Sequence, residues 1–237
     1  MSDSIVIIPT YNEIENVERM AKTIMSFEKE FHILFVDDNS PDGTASLIES
    51  LMSEFPGKIF LEKRSGKLGL GTAYIHGFKW AIDNGYEFIF EMDCDFSHNP
   101  NDLIRLYNAC KIGGADLSIG SRYCKGGRVS NWPLKRILMS YFASVYVRLI
   151  LFISIKDTTA GFKCYRKKVL ETINLEAVTF KGYAFQICMK YAAIQNGFKL
   201  VEVPITFVDR QYGTSKMNSG IFKEAFFGVW KMRKMKL

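Results

Sequence analysis

Apolar runs of strand length alternate with stretches of helical period through the first half of the chain. Ile5–Ile8, Ile33–Val36, Lys58–Leu61 and Phe88–Met92 read as strands, and helices are predicted from about Asn16, near Gly43, from about Thr72 to Asp83 and from Pro100 to Cys110. Strand and helix in succession with short connections make neighbouring strands parallel. The pattern therefore predicts an α/β fold with an open, mostly parallel sheet flanked by helices. The second half is less regular, with further strands expected at Ala115–Ile119 and Leu200–Val203. Polar clusters follow three of the strands: PTYNE from Pro9, DDNSPDGT from Asp37 and DCDFSHNP from Asp93. In an open α/β sheet the ligand crevice lies outside the carboxyl ends of the strands, so these clusters should converge on one site.

Two other stretches are apolar without strand character. From Ile137 to Ile155 the run approaches the length that spans a bilayer, but Arg148 interrupts it, and a charge near mid-bilayer disfavours spanning. In the tail, Ile221, Phe222, Ala225, Phe226, Val229 and Trp230 recur at helical spacing ahead of Lys231, Arg233, Lys234 and Lys236. The expected organisation is a catalytic domain over residues 1–220 and a basic amphipathic helix over 221–237.

Composition narrows the classes. The 237 residues are 48% hydrophobic and 24% charged, which permits a sizeable core and excludes disorder, collagen and coiled coil for the whole chain. Lys and Arg number 31 against 25 Asp and Glu, and the net charge of +6 suits phosphate-bearing ligands, nucleic acid or an anionic membrane. Five scattered cysteines with no CxxC pair indicate a reducing compartment and no zinc site. The N-terminus MSDSIVIIPTYNE has neither the basic start nor the apolar run of a signal peptide, so a cytoplasmic catalytic body is expected.

Asp93-Cys94-Asp95 follows a strand, where two carboxylates one residue apart can approach a single hard cation. Mg2+ or Mn2+ takes a few carboxylate oxygens and completes its shell with substrate phosphates. In the second cluster, Pro41-Asp42-Gly43 is turn chemistry and Asp42 or Thr44 can cap the next helix. Asp37 and Asp38 remain as acceptors for ribose hydroxyls or a base. Lys67-Leu-Gly-Leu-Gly71 lacks P-loop and dinucleotide spacing and reads as a tight loop-to-helix turn, with presentation of backbone N–H groups to phosphate as the alternative. His98 reads as a turn or capping residue. Arg122, Lys125, Arg128, Arg136, Arg210 and Lys216 sit beside glycine or turn residues. Together they can supply the donors that a diphosphate leaving group requires.

PTYNE, VDDNSPDGT, GLGTAYIHGF, MDCDFSHNP, IGSRYCKGG, NWPLKR, DTTAGFKCYR and YGTSK occur in this order across almost the whole chain. The set resembles the dolichol-phosphate mannose synthases, a polyprenyl-phosphate branch of the family 2 inverting glycosyltransferases with the GT-A fold. PTYNE alone is common to family 2, whereas NWPxxR after GSRYxKGG and the late GxSK point to this branch.

The resemblance implies transfer of mannose from GDP-mannose to a polyprenyl (dolichyl) monophosphate, giving a β-linked mannosyl phosphate and GDP. Pro9, Tyr11, Glu13, Val36 and Asp38 would hold guanosine and ribose. Asp93, Cys94 and Asp95 would lie at the sugar-diphosphate, with Asp93, Asp95 and Ser97 around Mg2+ or Mn2+ and Asp95 the leading ligand. Arg122 and Arg136 would meet donor or acceptor phosphate, Arg210 and Lys216 would close over the diphosphate, and Asp157 would act near the acceptor as a positioning group or base. Cys94 departs from the alanine commonest between the aspartates, and Ser97 from the glutamine of some members; the aspartates themselves are intact. An anionic phosphate acceptor needs little general-base help, so stabilising the departing GDP should dominate catalysis.

A lipid acceptor would place residues about 134–155 and 221–237 at the interface of the cytoplasmic membrane face, unless those helices pack on the sheet or a partner subunit. A separate membrane-anchoring subunit stays open. The nearest alternative is a UDP-glucose-dependent polyprenyl-phosphate glucosyltransferase. A pyrophosphorylase lacks support, because Pro9–Glu13 stands where its glycine-rich loop would be. A non-catalytic nucleotide- or lipid-binding subunit would not need the aspartate pair. Nucleic-acid binding fits worst, since no recognition module is present.

Overall fold

The computed structural model describes residues 2–210 and 219–235. β1 (Ser4–Thr10), β2 (His32–Asp37), β3 (Ile59–Lys63) and β4 (Phe88–Glu91) form where the apolar runs predict them. The helices between and after them also form as predicted: α1 (Ile14–Met25), α2 (Thr44–Glu54), α3 (Leu70–Asp83) and α4 (Asp102–Lys111). With β5 (Leu117–Ser121), β7 (Lys163–Arg166) and β8 (Leu200–Pro204) they make a seven-stranded sheet in the order β3-β2-β1-β4-β7-β5-β8. Its two faces bury separate apolar clusters, one under α3 and α7 (Tyr183–Gln195), the other under α1, α2 and α4. β6 (Arg128–Ser130) and β9 (Thr206–Val208) pair as a small parallel ribbon.

The apolar pattern predicts neither strand of the ribbon nor, within the large sheet, β7, which runs antiparallel to both neighbours, β4 and β5. Its sequence KCYR begins and ends with a cation, which argues against a central strand. The structure supplies the reason it is tolerated: Lys163 lies opposite Glu91 of β4, and their side chains, both wholly buried, form an ion pair at 3.0 Å.

α5 (Leu134–Leu151) takes up most of the long apolar stretch, α6 (Lys167–Thr172) follows β7, and α8 (Ser219–Met232) is the C-terminal helix. Among the described residues no helix is long and apolar enough to cross a membrane. α8 begins at Ser219, so the expected boundary after residue 220 falls inside it. Nor is it an appendage. Val229 and Met232 are wholly buried, and Gly228 faces Phe180 and Ala184. The Trp230 indole N–H donates to the Tyr146 hydroxyl of α5 at 3.0 Å, and that hydroxyl donates to the Phe226 carbonyl at 2.9 Å. The predicted apolar stripe is therefore divided, because Val229 is buried while Phe226 and Trp230 remain exposed, as does Phe227 beside them. The side chains of Ile221, Phe222 and Ala225 lie outside the described ones.

Candidate active site

The carboxyl ends of β1, β2 and β4 border one cavity of about 680 Å³. Each of the three loops turns through a left-handed residue: Asn12, Asn39 and Phe96, with φ of 54°, 59° and 57°. Asparagine tolerates that region, whereas a phenylalanine there is an outlier. The Arg19 guanidinium lies over the Phe96 ring, 4.3 Å from its centroid.

At the first end of the cavity the loops after β1 and β2 are clasped together. The backbone N–H groups of Asn12, Glu13 and Ile14 donate to Ser40 Oγ, Thr44 Oγ1 and Asp42 Oδ2, at 3.0, 3.0 and 3.2 Å. Asp37 is consumed by this scaffold, accepting from the Thr10 hydroxyl at 3.0 Å and the Ser40 hydroxyl at 2.6 Å. Asp38 lines the cavity beside Pro9, Tyr11 and Glu13. Its carboxylate accepts from Arg64 Nε at 2.6 Å; burial raises its pKa and Arg64 opposes the rise. For Val36, strand alternation turns the side chain into the core with Leu34 and Ile7, wholly buried, which leaves only its backbone for a role in the site.

The KLGLG segment is the expected loop-to-helix turn, and Lys67, Leu68, Gly69 and Leu70 line the cavity. Gly71 N–H donates to the Lys181 carbonyl at 3.0 Å, and a Cβ at Gly71 would stand 2.4 Å from the Phe180 carbonyl oxygen. Only glycine permits that crossing of the two segments.

Asp93 and Asp95 occupy the middle of the cavity, with the buried Cys94 between them. Burial, and next the Asp95 charge, push the Asp93 carboxyl up to about 7, so the pair calls for a cation. Arg210 Nη2 provides one at 3.1 Å from Asp95 Oδ2. Ser97 N–H donates to Asp95 Oδ1 at 3.1 Å, while Ser97 Oγ is buried without a hydrogen-bond partner. Two carboxylates and an orphan hydroxyl are oxygen ligands suited to a hard divalent ion. No group of three or more His, Cys, Asp or Glu side chains among the described residues could hold a metal by itself. The protein thus offers part of a coordination shell, as expected of a site whose ion also binds substrate phosphate. His98 is a turn residue and not the cap of α4, which Asn101 occupies: its Nδ1 accepts from Asp93 N–H at 3.4 Å, its ring stacks on Phe162 with centroids 5.0 Å apart, and burial pushes its pKa down to about 4.

At the far end Arg122 lines the cavity, held by Asp157 through Nε at 2.7 Å and Nη2 at 2.6 Å, with Nη2 also donating to the Thr159 hydroxyl at 2.8 Å. Asp157 itself is wholly buried. Burial works to raise its pKa, but the Arg122 charge and hydrogen bonds win and hold it below the ordinary carboxylate range. It does not line the cavity, and a carboxylate held this acidic by Arg122 is a poor proton acceptor, so of its two expected roles the geometry favours positioning over base. Arg136, on the first turn of α5, stacks over Trp132 at 3.8 Å and pairs with Asp209 at 3.0 Å. Lys125 and Arg128 are exposed outside the cavity, and Lys216 lies outside the described residues. Sequence reasoning missed Lys181, Tyr183, Gln186 and Glu224, which line the cavity. The Glu224 carboxylate, from α8, accepts from the Lys181 and Gly182 N–H groups at 2.9 and 3.2 Å. No local pattern in the sequence announces these long-range contacts.

Residues 5–173 match the sequence profile described as Glycosyl transferase family 2. The chain is 48% identical over 232 residues to the polyprenol monophosphomannose synthase of Mycolicibacterium smegmatis, covering 97% of this chain and 87% of that protein. It is 44% identical over 225 residues to the undecaprenyl-phosphate mannosyltransferase of Micrococcus luteus, covering 95% and 91%. Among solved structures, the glucosyl-3-phosphoglycerate synthase of Mycobacterium tuberculosis superposes with a TM-score of 0.66 at 16% identity, covering 98% of this chain and 80% of the other, a likeness of fold.

Proposed function

The chain belongs to glycosyl transferase family 2, and from that premise we propose that it transfers mannose from GDP-mannose to a polyprenyl monophosphate, with inversion at the anomeric carbon. The observation that carries this reading is the order of groups along one cavity. The strand order β2-β1-β4-β7-β5 sets the loops that carry Pro9, Tyr11, Glu13 and Asp38 on one side of the Asp93/Asp95 loop and Arg122, which follows β5, on the other; all of them line the cavity, as does Arg136 of α5. That order matches a nucleoside, a diphosphate and an incoming phosphate. The names of the two relatives, both acting on polyprenyl-type phosphates, support the acceptor class.

Asp93, Asp95 and Ser97 would hold a divalent cation, Mg2+ or Mn2+, which neutralises the diphosphate as it leaves. Asp38 would accept from ribose hydroxyls, its acidity opposed by burial and sustained by Arg64. Arg122 keeps its charge because burial, which works against it, is outweighed by Asp157. It therefore presents a fixed cation to phosphate oxygens, with no rearrangement needed as charge develops. Arg210, now on Asp95, is placed to move to the diphosphate once a metal takes the carboxylate. Since the attacking phosphate is already anionic, a positioning role for Asp157 in place of a base agrees with the chemistry.

The helices that border the cavity also expose apolar faces. Leu138, Phe142 and Leu149 on α5 and Phe226, Phe227 and Trp230 on α8 are exposed, close to Lys231, Arg233 and Lys234. We read this surface as the seat on an anionic membrane from which the lipid phosphate reaches Arg136. The test is transfer of radiolabelled mannose from GDP-mannose, with UDP-glucose in parallel, to a short-chain polyprenyl phosphate. Mannosyl-lipid formation that EDTA abolishes supports the reading; glucosyl transfer instead would overturn the donor.

A further inference from the structure

Under the carboxylate pair lies a buried polar array that the proposed chemistry does not use. Glu91, Lys163 and Lys190 are wholly buried, and Gln186 nearly so. Tyr165 donates its hydroxyl to Glu91 Oε1 at 2.7 Å, and Lys163 Nζ pairs with the same oxygen at 3.0 Å. Lys163 Nζ also donates to Gln186 Oε1. Burying an ion pair under the site is costly, and an apolar pair of equal volume would serve stability as well. The array is better explained by what it orients.

A lysine ammonium can donate and cannot accept. The Gln186 atom facing Lys163 must therefore be the carbonyl oxygen; burial lowers the Lys163 pKa, and the Glu91 carboxylate opposes the fall and favours the ammonium. The orientation of the amide is fixed by charge, and its NH2 group is turned the other way. There Gln186 lines the cavity, and a Cβ built on Gly161 would lie 3.5 Å from Nε2, in ordinary contact. Gly161 thus leaves open the space that the NH2 group faces. The backbone on that side is also pinned, since Lys190 Nζ donates to the carbonyls of Thr158 and Ala160 at 3.0 and 2.7 Å. The result is a pair of N–H donors held beside Gly161 and next to β7, the strand that lies across β4 from β1 and β2, whose loops would take the nucleoside.

We propose that the Gln186 carboxamide donates to a hydroxyl of the hexose being transferred and so reads the donor sugar. This rests on the glycosyl-transfer reading of the same cavity and adds to it the group that selects the sugar. A polar group built to meet a hydroxyl discriminates strongly against a donor that lacks it.

The experiment compares wild type, Gln186→Met and Gln186→Glu with GDP-mannose and its monodeoxy analogues. The glutamate variant keeps an oxygen towards Lys163 and replaces the N–H donors, so it serves if the methionine variant folds poorly. For GDP-mannose, kcat/KM should fall about ten- to hundredfold in either variant, with GDP affinity unchanged. One deoxy donor should be penalised in wild type and lose that penalty in the variants. Equal penalties for every analogue in wild type and variants, or a parallel loss of GDP affinity, would overturn the assignment while leaving mannose transfer intact. A wild type that transfers no mannose would instead remove the activity reading, and this one with it.

Discussion

The two ends of the cavity are built by different means. At the nucleoside end, short loops after parallel strands hold one another mainly through backbone N–H groups and short side chains, as where Thr44 Oγ1 accepts from Glu13 N–H at 3.0 Å, and the buried pair of Arg64 on Asp38 is the exception. At the acceptor end, the parts come from distant segments, β7, α5, α7 and α8, and buried charge holds them: Arg122 on Asp157, Lys163 on Glu91, and Lys190 on carbonyls. The first construction tolerates loss of one bond. In the second, removal of one partner strands a buried charge.

That difference can be broken most severely at Asp157. Asp157→Ala leaves the Arg122 guanidinium buried and unpaired, and should cost about 3–5 kcal/mol of stability, a melting point lower by on the order of 10 °C. A melting scan checks it, with Asp37→Asn at the other end expected to cost markedly less. Gly71→Ala tests the crossing that joins the two ends. Because its Cβ would meet the Phe180 carbonyl oxygen at 2.4 Å, a destabilisation of about 1–3 kcal/mol and a raised KM for GDP-mannose are expected. Leu149→Ser combined with Phe227→Ser should weaken binding to anionic phospholipid vesicles about tenfold in a sedimentation assay and leave the melting point unchanged, since both side chains are exposed. The smallest effect is expected from Glu224→Gln. It exchanges one of two carboxylate acceptors for the Lys181 and Gly182 amides and should cost about 1 kcal/mol in the same scan.

The same difference decides what could be read in advance. Strand-end clusters are local, so PTYNE, DDNSPDGT and DCDFSHNP announce both the parallel sheet and one end of the site. Strand period also refines a ligand assignment, because alternation sends the Val36 side chain into the core and leaves its backbone. At the acceptor end the informative residues look wrong for their elements. Lys163 in a central strand and Lys190 in an otherwise apolar helix read as surface charges until Glu91 and the 158–160 carbonyls are brought beside them. β7 was hidden by the same cation. Asp157 was legible as important, but its role depended on Arg122, 35 residues away in the chain.

The central claim is that Asp93 and Asp95 hold a divalent ion at the donor diphosphate. It is tested most directly by titrating metal-stripped wild type and Asp95→Asn with Mn2+ and with Mg2+ while following mannosyl-lipid formation. The account predicts saturable dependence on at least one of the two ions in wild type and a loss on the order of 10³-fold in kcat for the variant. Turnover by the stripped wild type equal to that of the loaded enzyme would contradict it.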